Sequence, residues 1–286
     1  MNIVLVSIGN FQEYILTNIK QLIRLNHKKI YVITNREFFD NFSEYNSNIH
    51  LIDAGTLEDK FQYTQKSHMN INFRNAFWVF TSSRFFYIYA FMKKYEIQDV
   101  IHLENDVPIY YNCDKLIPFL KSSTQQKLFI PMDSYNRAIA SIVYIPNAEI
   151  LEKILQLYEY NKNDMENFSI ISYKIPEFFD KFPICISDDS QTNEEYYVTK
   201  NFEKFGFIFD AAAIGQYLGG VDPQNISGDT TGFINETCVI KYDRYKFQWE
   251  IDEIDNIRRP FLITEDLEKI QIFNLHIHCK KLEKFI

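Results

Sequence analysis

Residues 2–53 constrain the fold more than any other part of the chain. Residues 2–8 contain an unbroken apolar run, Ile3, Val4, Leu5 and Val6, the pattern of a strand covered on both faces. Gly9-Asn10 interrupts it. Residues 11–25 then place Ile15, Ile19, Leu22 and Ile23 at helical spacing. Two more short strands follow, at 29–34, which runs into Asn35-Arg36, and at 49–52, which ends at Asp53-Ala-Gly55. Strand, helix, strand and strand at these intervals predict an α/β fold with a mixed, mainly parallel central sheet flanked by helices.

The rest of the chain supplies what such a sheet presents at its edge. Residues 77–95 form a long aromatic helical pattern that carries Arg84, a charge needing either a carboxylate or a bound phosphate as partner. The next apolar run, Val100 to Leu103, ends abruptly in Glu104-Asn105-Asp106. In an extended chain Glu104 and Asp106 lie on one side. Two carboxylates at the carboxyl edge of a sheet suit a divalent cation. His102 lies on the same side but deeper, and reads as a core histidine.

Strands are predicted at 128–131 and 138–145, a helix at 148–160 and another at 165–173, with Asn163 or Asp164 as its cap. The acidic stretch 187–190, with Glu194-Glu195, reads as a solvated loop. Asp210 is placed to cap a helix at 211–218 that Gly219-Gly220 ends. Further strands are expected at 238–241 and 269–278. In the last of these His276 and His278 share a side, and Lys280 and Lys281 follow at once. Imidazole is a common ligand for transition metals, and lysine neutralises phosphate.

Composition narrows the function. Of 286 residues 46% are apolar, and glycine and proline are scarce, at eight each, so a sizeable core is expected and a repetitive or disordered chain is not. The formal charge is −8 with no basic stripe, which argues against nucleic acid as a partner. Cys113, Cys185, Cys238 and Cys279 lie far apart without a CxxC pair, as expected of reduced thiols in a cytoplasm-like compartment. No run approaches the roughly 18 apolar residues of a membrane span, and the apolar start lacks the basic lead of a secretory signal.

Taken together, Glu104-Asn105-Asp106 and His276-Ile-His-Cys-Lys-Lys281 resemble the signature of a GT-A type glycosyltransferase. In that family a Rossmann-like half binds a nucleotide sugar, an acidic DxD triplet ends a central strand, and a C-terminal His and Lys serve the metal and diphosphate. Asn163-Asp164-Met165 is similar to the family's site-facing acid. Phe209-Asp-Ala-Ala-Ala-Ile-Gly-Gln-Tyr-Leu-Gly-Gly220 looks like a segment of uncharacterised bacterial and viral members.

The resemblance implies one domain over residues 1–286, with a nucleotide-binding half at 1–112 and an acceptor-facing half at 113–286. It implies a nucleotide-sugar donor, a UDP-sugar above others, and a glycan or other hydroxyl acceptor. The cofactor would be Mn2+ or Mg2+, held by Asp106, Glu104 and His276 or His278. Lys280 and Lys281 would meet the diphosphate. The nucleoside would lie over Ser7, Ile8, Gly9, Thr34 and Asn35, with Arg84 and Asn105 close by. Asp164 and Asp210 are the candidate bases for an acceptor hydroxyl. Two other readings stand beside it. One is a sugar-phosphate nucleotidyltransferase, although Ser7-Ile-Gly-Asn-Phe11 lacks that class's glycine-rich basic loop. The other is a non-catalytic glycan-binding protein that uses the many Tyr and Phe rings.

Overall fold

A computed structural model describes residues 1–122, 125–186 and 193–286. Its strands are β1 (Asn2–Ser7), β2 (Ile30–Thr34), β3 (Ile49–Asp53), β4 (Val100–Leu103), β5 (Leu128–Ser134), β6 (Arg137–Ala138), β7 (Ile142–Ile145), β8 (Phe179–Phe182), β9 (Phe207–Ile208), β10 (Lys246–Ile251), β11 (Arg258–Ile263) and β12 (Lys269–Ile272). The central sheet runs β3-β2-β1-β4-β7-β5-β6, with β8 also paired to β5. Strands β3, β2, β1 and β4 are parallel. β7 runs against both β4 and β5, and β8 runs along β5. The carboxyl ends of β1, β2, β4 and β5 therefore share one edge. A second sheet, β10-β11-β12-β9, is antiparallel except where β9 joins it.

The apolar run of β1 is the centre of the core: Ile3, Val4 and Leu5 are wholly buried. The helix Phe77–Tyr95 packs across this sheet with Phe85, Ile88 and Phe91 inward. It precedes β4, so its first turns stand over the edge where β4 ends. His102 is buried, with Nδ1 at 3.0 Å from the Val4 carbonyl oxygen. Burial pulls its pKa down to about 3, so it is a neutral core residue.

Several elements differ from the sequence expectation. The expected strand at 138–145 is split at residues 139–141, where the Ser141 carbonyl accepts from the Glu104 amide and its hydroxyl donates to the Asp210 carbonyl. The helix that starts at Ala148 ends at Leu155. Residues 238–241 form no strand; Lys241 Nζ folds back to the carbonyls of Asn235, Glu236 and Cys238. β12 stops at Ile272, beyond which the tail leaves the small sheet. The acidic stretch 187–190 lies outside the described residues. Cys113, Cys185 and Cys238 are buried free thiols, and Cys279 is a half-buried one. Among the described residues no helix is long and apolar enough to cross a membrane.

Candidate active site

Backbone pairing explains how residues far apart in sequence meet. β4 ends at Leu103, and Glu104 to Val107 form a turn closed by the Val107 amide on the Glu104 carbonyl, at 3.0 Å. The chain after β12 runs alongside this turn. Tyr110 donates to the Phe273 carbonyl, Leu275 to that of Pro108 and Ile277 to that of Asp106, at 2.9, 3.1 and 2.9 Å. His276 is thereby carried to the end of β4. Asn18, on the helix Tyr14–Arg24, holds the same turn with bonds of 3.2–3.3 Å to the carbonyls of Glu104, Asn105 and Val107.

The result is a cluster of Glu104, Asp106 and His276 whose ligand atoms lie within 4.8 Å of one another. His276 Nε2 is 3.1 Å from Glu104 Oε2 and 3.4 Å from Asp106 Oδ2. Lys280 Nζ donates to Asp106. Arg84 bridges Glu104 and Asp164, with 2.5 Å to each. Burial alone would raise the Asp106 pKa, but the charges of Lys280 and His276 hold it well below the carboxylate range. Glu104 is likewise lowered, with Arg84 and His276 overcoming burial. Burial opposes the His276 cation, yet Asp106 and Glu104 raise its pKa overall. Two carboxylates and one imidazole converging on one point are a donor set that fits a hard or borderline divalent ion such as Mg2+ or Mn2+.

The other expected site residues divide. His278 does not join the carboxylates: its Nδ1 lies 2.9 Å from Gln216 Nε2. Arg84 pairs with the carboxylates of Glu104 and Asp164. Asn105 is turned inward, donating to the Val6 carbonyl and to Gln12 Oε1 at 2.9 and 2.8 Å, so it fastens the turn to β1. Asp164, behind the cap formed by Asn163 and Glu166, is buried against Arg84. Asp210 is wholly buried, with Oδ1 accepting from the amides of Ala213 and Ile214 and Oδ2 from those of Gly215 and His276, at 2.7–2.9 Å. Burial raises the pKa of both acids. Both Asp210 oxygens are taken by internal amides, and Asp164 Oδ2 is held by Arg84.

Ser7, Ile8, Gly9, Thr34 and Asn35 do gather at the ends of β1 and β2. The Thr34 hydroxyl donates to the Ser7 carbonyl at 2.6 Å, and the Gly9 amide to Asn35 Oδ1 at 2.8 Å. Ser7 and Thr34 are buried, however, which leaves Ile8, Gly9 and Asn35 to face a ligand. Gly9, at φ +76°, lies flat against the Phe80 ring, which a Cβ would strike. Lys281 is exposed, and among the described residues no bond joins it to the cluster.

One acid at this edge went unread in the sequence. Asp133, near the end of β5, is wholly buried, and neither carboxylate oxygen has a hydrogen-bond partner among the described residues. Its nearest cation is Arg137, at 3.4 Å. The available signal was an Asp closing an apolar run, as Glu104 does. Burial lifts its pKa to about 6. A carboxyl raised on folding helps most below its unfolded pKa and loses that contribution as pH rises through the folded one. Asp133→Asn is therefore expected to stabilise the protein at pH 7.5 by up to about 3 kcal/mol. The gain in Tm over wild type should shrink between pH 6 and pH 4, which melting curves across that range check.

No protein-family model matches the sequence, and no curated protein matches it. Solved structures with a partly similar chain path include glycosyltransferases. Mouse xyloside xylosyltransferase 1 is 13% identical, with 64% of this chain and 84% of that chain covered and a TM-score of 0.47. An active-site variant of LgtC is 13% identical, covering 70% and 83%, with a TM-score of 0.45. GlyE of Streptococcus pneumoniae TIGR4 is 19% identical, covering 63% of this chain and 44% of that one, with a TM-score of 0.43. A cytidylyltransferase from Leptospira borgpetersenii is also similar. At such identities and scores the functional assignment rests on the chain's own site.

Proposed function

We propose that the chain is a metal-dependent glycosyltransferase that moves a sugar from a nucleotide-sugar donor, a UDP-sugar above others, to a hydroxyl acceptor. The observation that carries this reading is the meeting of Glu104 and Asp106 with His276 at the carboxyl end of β4, beside the edge where Gly9 and Asn35 face outward. Glu104, Asp106 and His276 would hold Mn2+ or Mg2+, which when bound neutralises charge on a diphosphate leaving group. Lys280, partly exposed and already at Asp106, adds a second positive charge where that leaving group forms. Arg84 keeps Glu104 ionised and aimed at the cluster. With Asp164 and Asp210 engaged internally, no step is assigned to a general base. The nucleotidyltransferase reading is weaker because the turn after β1 carries no basic residue and only one glycine.

Calorimetry with UDP, GDP and their sugars, with and without MnCl2, tests the reading. Nucleotide affinity is expected to depend on the metal. At a hundredfold excess over Kd the ligand should stabilise the fold by about 2.7 kcal/mol. Nucleotide affinity that ignores the metal, or no affinity at all, would overturn the assignment.

A further inference from the structure

The edge of the central sheet opposite the active site holds a cavity of about 360 Å³. It lies where β1 and β4 begin, whereas Glu104, Asp106 and His276 gather where β4 ends. Small-molecule pockets usually measure about 300–1,000 Å³, and one water takes only about 30 Å³.

His27, in the turn between the helix Tyr14–Arg24 and β2, lines this cavity and is 6% exposed. The Cys113 amide donates to its Nε2 at 3.4 Å. Burial pulls its pKa down to about 4, so the ring is neutral and its one proton sits on Nδ1. Nδ1 has no hydrogen-bond partner among the described residues, yet it is not sealed from solvent as Nε2 of His102 is. An N–H donor on a buried side chain therefore opens into the cavity.

The charges around it are one-sided. Asp99 is held by Lys121 and Asp114 by the terminal amine of Met1, each at 2.6 Å. Lys28 and Lys29 are exposed, and among the described residues no ion pair holds either. Three consecutive residues thus bring two uncommitted ammonium groups and an N–H donor to one open space, in a chain of net charge −8. A cation would be repelled there, and a hydroxyl would leave both lysines unused. A phosphate group carries enough acceptor oxygens to receive from all three.

We infer that this cavity binds the phosphate group of a small phosphate ester, at a site separate from the proposed donor site. The inference shares no residue with the donor reading and does not depend on it.

The test titrates inorganic phosphate, glucose 6-phosphate and, as an uncharged control, glucose into wild type and a Lys28→Ala/Lys29→Ala variant. The buffer holds about 150 mM NaCl, so that loosely held ions are screened. Both lysines are exposed, and the variant should fold. Calorimetry should show glucose 6-phosphate bound by wild type and weakened about tenfold or more in the variant, the loss of charge-assisted hydrogen bonds. Metal-linked UDP affinity should be the same in both proteins. In 15N–1H spectra of the imidazoles, glucose 6-phosphate should shift the His27 Nδ1–H resonance and glucose should not. No binding by wild type, equal binding by the two proteins, or shifts at His276 and His278 in place of His27 would overturn the inference. Binding of inorganic phosphate alone would overturn the assignment to an ester.

Discussion

Replacing Asp106 by alanine is expected to lower kcat/KM for donor hydrolysis and sugar transfer by about 10²–10³-fold or more, and to abolish metal-linked nucleotide affinity. Asp106 is the residue on which the cluster converges: it meets His276 and Lys280 and sits across from Glu104. The fold should survive the change, because Lys280 is partly exposed and can return its charge to water. His276 keeps Glu104 as a partner. Breaking a fully buried pair would cost about 3–5 kcal/mol, and this site escapes part of that cost. Circular dichroism and melting curves separate a lost site from a lost fold. A folded Asp106→Ala protein with wild-type turnover would remove the acidic turn from the chemistry.

How much of this was legible beforehand follows from which forces act locally. β1, β2, β3 and the helix Phe77–Tyr95 were readable because their apolar spacing matches a buried strand or a helix over several residues. The break between β6 and β7 and the ends of β12 and of the helix Ala148–Leu155 were not, since the local apolar spacing does not mark where they stop. In the site, Glu104, Asp106 and His276 were found from residue type and strand position. Arg84 was noticed but not placed, because its partner Asp164 is eighty residues away in sequence. Asn18, Asp133 and Gln216 carried no signal of their own: each matters through a carbonyl, an empty hydrogen-bond site or an imidazole that only the folded chain brings near. Asp210 showed the opposite error. Its helix-capping role was foreseen, and that same role uses up the oxygens that a catalytic base would need.

The same knot gives the second large effect. Gly215→Ala is expected to weaken metal-linked nucleotide binding by more than about tenfold and to destabilise the fold by about 1–3 kcal/mol, the usual range for overpacking. A Cβ at residue 215 would run into the His276 carbonyl oxygen and stand 3.0 Å from Asp210 Oδ2. The obstacle is backbone against backbone, so no side-chain rotation relieves it. The helix Ile214–Gly219 or the tail must move, and either shift pulls His276 from Glu104 and Asp106 and separates Gln216 from His278. Gly206→Ala is the control: Gly206 has φ +65° and nothing within 4 Å of its would-be Cβ. That change should cost about 1 kcal/mol of backbone strain and leave nucleotide affinity alone. If Gly215→Ala and Gly206→Ala lost stability alike and both bound metal and nucleotide as wild type does, the packing of this helix on the tail would have no part in positioning His276.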